Sequence, residues 1–285
     1  MFRRARTLWC LTIVTAGLIA VQASAQELQP PVLEVLLRRG GDYVQDFVAQ
    51  FANVVAEEQY LQTWKSFRRT VVSDFLLVQP KDTQNYLAFR DVVTVDGSPV
   101  KDRDQRVIKL LVQPSASSLE RLTEFSKEAA RFTFGGVFNN PLVALAFLQP
   151  EFRERFRFTL GKADKSLGAN VWDLGFTEQT RPTVLRGRND TDQPATGHIW
   201  LEADTGRIVK TELTLANDSI VTSFRFDERF QINVPVEMID RYRYQNYTVN
   251  GTATFGRFRR FNVSTDENVA TPDQKGDALP EPKAP

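Results

Sequence analysis

The alternation of apolar and polar residues through the second half of the chain constrains the fold more than any other feature. Phe156, Phe158 and Leu160 alternate with Arg155, Arg157 and Thr159; Phe224 and Phe226 flank Arg225; Tyr242 and Tyr244 alternate with Arg241 and Arg243. A period of two sends successive side chains to opposite faces of an extended strand. Strands apolar on one face only belong to an antiparallel sheet that is covered on that face. The run from His198 to Leu213 has apolar residues on both sides of Asp204-Thr205-Gly206, which predicts a hairpin. Asn250-Gly251 is the strongest short turn signal and predicts a hairpin joining strands at Tyr244–Val249 and Thr252–Phe261.

The first half mixes both periods. Val44, Phe47, Phe51, Val54 and Val55 recur at three- and four-residue spacing and predict a helix over Asp42–Tyr60, with Gly40-Gly41 before it and Asp42 as N-cap. Thr70–Val78 and Tyr86–Val95 read as strands, the second ending at Asp96-Gly97. A charge run at Lys101–Arg106 follows, then a helix over Ser117–Phe132 and a short buried helix at Asn140–Leu148 with Pro141 at its first position. No linker interrupts the chain between Glu27 and Val263. The expected fold is α+β: a curved antiparallel sheet, an open half-barrel, with helices packed in its concave face as one domain over 26–263.

The ends carry other signals. Arg3, Arg4 and Arg6, the uncharged apolar stretch Leu8–Val21 and Ala23-Ser24-Ala25 form an export leader over 1–25, with cleavage expected before Gln26. The product is expected to be periplasmic or secreted, with no transmembrane segment. Residues 264–285 are acidic, proline-rich and free of aromatics, and are expected to be a disordered tail. Three of the 36 basic residues lie in the leader, so 33 would face 35 acids after cleavage, a net charge near −2. That balance gives no electrostatic reason to bind nucleic acid.

The residues that usually perform chemistry are scarce. The one cysteine, Cys10, is in the leader, and the one histidine, His198, is in a predicted strand. A serine hydrolase lacks its base and its Gly-x-Ser-x-Gly elbow, a zinc site lacks ligands, and no phosphate-binding glycine loop is present. No catalytic residue, metal site or cofactor is predicted, and the chain reads as a non-enzyme. A glycosidase needs only two carboxylates. Asp91 with Asp96, Glu202 with Asp204, and Glu237 with Asp240 are near in sequence, but they would matter only if two converged in one cleft.

At Trp200-Leu201-Glu202-Ala203-Asp204-Thr205-Gly206-Arg207-Ile208-Val209-Lys210 the chain resembles the outer-membrane lipoprotein-carrier superfamily. Glu202 stands where an aspartate is more usual there, and Arg207-Ile208-Val209 replaces a proline-containing stretch. The order of leading helix, strands, inserted helices and strands is also similar. The resemblance implies a half-barrel whose concave side binds a lipid or an acylated protein. Trp172, Phe224, Phe226, Tyr242 and Tyr244 are the expected apolar lining. The rival expectation is an envelope structural or sensory module that grips a protein partner through the same fold.

Overall fold

The computed structural model describes residues 29–52, 54–78, 86–101, 103, 127–136 and 139–260. The chain divides at Pro30/Pro31, and the elements that follow all belong to the unit Pro31–Pro285. The expected leader and tail, most of the charge run after Lys101 and most of the Ser117–Phe132 helix lie outside the described residues.

Helix α1 (Leu33–Phe51) buries Leu36, Leu37, Val44, Phe47, Val48 and Phe51 along one stripe. It starts nine residues earlier than the sequence suggests. Gly40 and Gly41 are inside it, where glycine ordinarily costs about 1 kcal/mol against alanine. Close packing explains them: a Cβ on Gly41 would stand 3.0 Å from the Leu148 carbonyl oxygen, and one on Gly40 3.1 Å from a Leu148 methyl. No side chain caps the N-terminus of α1, so packing rather than capping holds it. The expected helix also ran too far. Val54 and Val55 continue a helical spacing, but they open strand β1 (Val54–Trp64), where β-branched residues pack well on a pleated surface.

β1 is followed by β2 (Phe67–Val78), β3 (Leu87–Val95) and the short β4 (Ser98–Pro99). After the described segment at 127–136, a 3₁₀ helix spans Val143–Leu148 and a single helical turn spans Pro150–Arg153. Seven strands complete the fold: β5 (Phe156–Ala163), β6 (Val171–Glu178), β7 (Ala195–Glu202), β8 (Ile208–Leu215), β9 (Asp218–Asp227), β10 (Ile232–Tyr244) and β11 (Tyr247–Arg260). They form one antiparallel sheet in the order β4-β3-β2-β1-β11-β10-β9-β8-β7-β6-β5, an open half-barrel. β1 and β11 pair in the interior of the sheet, so both ends of the strand run meet there.

The hairpin at Asp204-Thr205-Gly206 forms as expected between β7 and β8, with Gly206 at φ +73°. The Asn250-Gly251 hairpin does not. Both residues lie inside β11, and the turn falls at Gln245-Asn246. Gly251 is there for a packing reason given below. Among the described residues no helix is long and apolar enough to cross a membrane.

Candidate functional site

The concave face has two parts with different chemistry. On β1 the inward positions Glu58, Tyr60 and Gln62 are all fully buried. Arg90 of β3 grips Glu58 with a fork, Nε to Oε2 at 2.5 Å and Nη2 to Oε1 at 2.8 Å, while Ser73 of β2 donates to Oε2 at 2.8 Å. The same guanidinium donates to the Asn139 carbonyl oxygen at 2.8 Å, and the Asn139 amide donates to Asp240 Oδ2 at 2.8 Å. Tyr60 Oη donates to that same oxygen at 2.8 Å. Gln62 accepts the backbone N–H of Phe134 at 3.0 Å and donates to Tyr242 Oη at 2.6 Å; Tyr242 donates onward to the Phe134 carbonyl at 2.6 Å. One connected network thus fastens the segment around Phe134 and Asn139 to β1, β2, β3 and β10.

Asp240 is the strained member. It is 1% exposed, and its Oδ1 has no hydrogen-bond partner. Burial raises its pKa above the ordinary carboxylate value, against the opposing hydrogen bonds from Asn139 and Tyr60. Burial and the neighbouring Asp240 likewise push the Tyr60 hydroxyl well up. Gly251 lies directly opposite Asp240 in the register. A Cβ there would stand 2.0 Å from Asp240 Oδ1 and 2.6 Å from Tyr60 Oη. Only a bare Cα leaves room for the pair, which is why an Asn-Gly sequence occurs inside a strand.

The second part spans β5 to β9 and is mostly apolar, with the buried Thr211 and Thr222 opposite each other on β8 and β9. Leu174, Ile199, Leu201, Ile208 and Leu213 are wholly buried under the 3₁₀ helix and the N-terminal half of α1. Phe147 stacks on Phe156 at 4.5 Å and meets Phe176 edge-on at 5.3 Å. Two polar ties hold α1 at this end: Arg39 Nη1 donates to the Ala203 carbonyl at 2.5 Å, and Tyr43 Oη accepts the Asn233 N–H at 3.0 Å.

The five expected lining residues divide between these parts. Trp172 pairs with Leu201, which pairs with Ile208, and Phe224 is buried on β9. Phe226 is 38% exposed at the rim, under the Arg207 guanidinium at 4.5 Å. Tyr242 and Tyr244 are elsewhere. Tyr242 is in the polar network, and the Tyr244 ring lies against Gly135. From β6 to β10 is four strand spacings, about 19 Å, so the five do not surround one point.

The carboxylate pairs near in sequence also separate. Asp91 pairs with Arg103 at 2.6 Å, whereas Asp96 accepts the Thr70 N–H at its turn. Glu202 accepts from Thr205 and Asp204 from Asn170. Glu237 and Asp240 fall on opposite faces of β10 by parity. Two carboxylate pairings that sequence reasoning missed do form: Glu58 and Asp240 within the polar network, and Asp74 and Asp91, opposite each other in the register and both held by Arg103. Both pairs are engaged by internal partners. His198 Nδ1 lies 2.8 Å from Asp173 Oδ1 on the outer face, beside Trp200. Among the described residues no group of three His, Cys, Asp or Glu side chains could hold a metal.

No family model and no curated protein matches this sequence. Solved structures align with it over most of its length. A DUF1329 family protein from Desulfovibrio piger is 10% identical, with 81% of this chain and 95% of that chain covered at a TM-score of 0.43. A LolA superfamily protein from Nitrosomonas europaea is 10% identical over 81% and 94% of the two chains at 0.34. A putative outer membrane lipoprotein-sorting protein domain from Vibrio parahaemolyticus is 13% identical over 81% and 96% at 0.37.

Proposed function

We propose that this protein is an exported, non-enzymatic module of the bacterial envelope that binds a lipid or an acylated protein in the apolar part of its concave face. One observation carries the reading: that part is covered by α1 and the 3₁₀ helix largely through ring and aliphatic contacts. Such contacts are non-directional. An acyl chain entering from the Phe226 rim can replace them, gaining about 0.8 kcal/mol per methylene buried. Trp172, Phe224 and Phe226 line this part. Tyr242 and Tyr244 belong to the framework beside it.

The test is uptake of a fluorescent fatty-acid probe by purified protein. Saturable binding is expected, weakened severalfold by Leu201→Gln and unchanged by Tyr242→Phe. Absence of binding, or equal loss in both variants, would contradict the reading. The rival, a module that grips a protein partner, is favoured by apolar residues exposed outside the concavity: Phe67 is 56% and Ile239 50% exposed.

A further inference from the structure

The geometry points to a membrane-docking edge built from two neighbouring hairpin tips, fitted to an anionic phospholipid surface. β1 sits between β2 and β11, so the β1–β2 turn and the β10–β11 turn lie side by side at one end of the sheet. Their rings form a continuous row. Trp64 stacks on Phe67 at 5.1 Å and contacts Tyr247 at 4.5 Å. Phe67, at the outer end of the row, is the most exposed ring there, whereas the Trp64 indole N–H is buried without an acceptor.

Cations surround these rings. Residues 61–70 and 241–250 contain Lys65, Arg68, Arg69, Arg241 and Arg243 and no acid. Arg69 is paired with Asp96 at 3.9 Å. Lys65, Arg68 and Arg243 are exposed and have no acidic partner among the ion pairs of the described residues. Lys65 Nζ instead lies 4.5 Å from the Tyr247 ring centroid.

Aromatic rings with an apolar body and a polar tip, ringed by lysine and arginine, suit the headgroup layer of a bilayer. The cations would contact lipid phosphates while Phe67 enters the acyl boundary. A protruding turn pair has the shape to enter headgroups, and its excess of cations over the nearby Asp96 and Asp218 selects an anionic surface over a neutral one. The inference does not require the concave face to hold a lipid.

Co-sedimentation with phosphatidylglycerol-rich vesicles, against pure phosphatidylcholine vesicles, tests it. The purified protein is expected to pellet with the first and not the second, and to be released by high salt. Lys65→Gln with Arg68→Gln should lower the partition coefficient about 25-fold, roughly fivefold per cation. Phe67→Ser should lower it about tenfold. All three side chains are exposed, so the variants retain the fold, and their uptake of the fatty-acid probe should match wild type. Equal pelleting with both vesicles, salt-insensitive pelleting, no pelleting, or unaltered partition in both variants would overturn the inference. Loss of probe uptake with intact vesicle binding would instead overturn the concave-face reading alone.

Discussion

Glu58 and Leu174 both face the concave side of the same sheet and both are fully buried, yet their covers are attached in opposite ways. Around Glu58 the covering segment is stitched down by a fork to Arg90 and by the bonds through Asn139, Gln62 and Tyr242. Each of these groups would cost about 1–3 kcal/mol if an apolar guest replaced its partner. Around Leu174 the cover is mostly hydrocarbon against hydrocarbon, and a guest of the same character strands fewer polar groups than it would beside Glu58. The polar part therefore fixes one arrangement of the half-barrel, while the apolar part is the one whose cover can be exchanged.

The largest expected effect breaks the polar part. Arg90→Met leaves Glu58 buried and uncompensated, and should lower unfolding free energy by about 4 kcal/mol in urea titration. Adding Glu58→Leu should return at least half of the loss, because an apolar pair leaves no buried charge. If the double variant is no more stable than the single one, the fork is not what holds this region.

In the apolar part, Phe147→Ala should cost about 3 kcal/mol through the cavity it leaves between Phe156 and Phe176. Excess lipid should raise its melting temperature by mass action, and should do so more than for Arg90→Met at the same lipid excess. Equal rescue of both variants would erase the distinction between the two parts. Gly251→Ala should cost about 2 kcal/mol by forcing the Asp240–Tyr60 pair apart, and Asp240→Ala in the same chain should recover part of that.

The smallest expected effect is a pH dependence. Burial raises the pKa of Asp240 in the folded state above its unfolded value, so the folded protein holds that proton more tightly. This contribution to stability is fully present below the unfolded value. It is lost as pH rises from there through the raised one. Asp240→Asn removes the contribution, so the variant should gain on wild type in matched urea midpoints as pH rises above the ordinary carboxylate value. A difference that does not change as pH rises from the ordinary carboxylate value would contradict the assignment.

The sheet was legible because its signal is a strict alternation repeated over many strands, and because Asp204-Thr205-Gly206 is a true turn. The boundaries of α1 were not. Gly40-Gly41 carries the local signal of a break, and only the approach of Leu148 shows why it is helical. Asn250-Gly251 misled for a similar reason, since the need for a bare Cα beside Asp240 lies in another strand. The polar network escaped because a charged residue at an inward position, such as Glu58 or Arg90, looks in sequence like one facing water. Its partners come from β2, β3, β10 and the segment before the 3₁₀ helix, and no short spacing records that meeting.

Gentle native mass spectrometry of the protein purified from an exporting host, with solvent extraction of bound material, tests the central claim most directly. The account predicts a stoichiometric lipid or acylated-peptide adduct, or uptake of one equivalent when phospholipid is added. A clean apo mass that persists in excess phospholipid would contradict it and leave the protein-partner module as the better description.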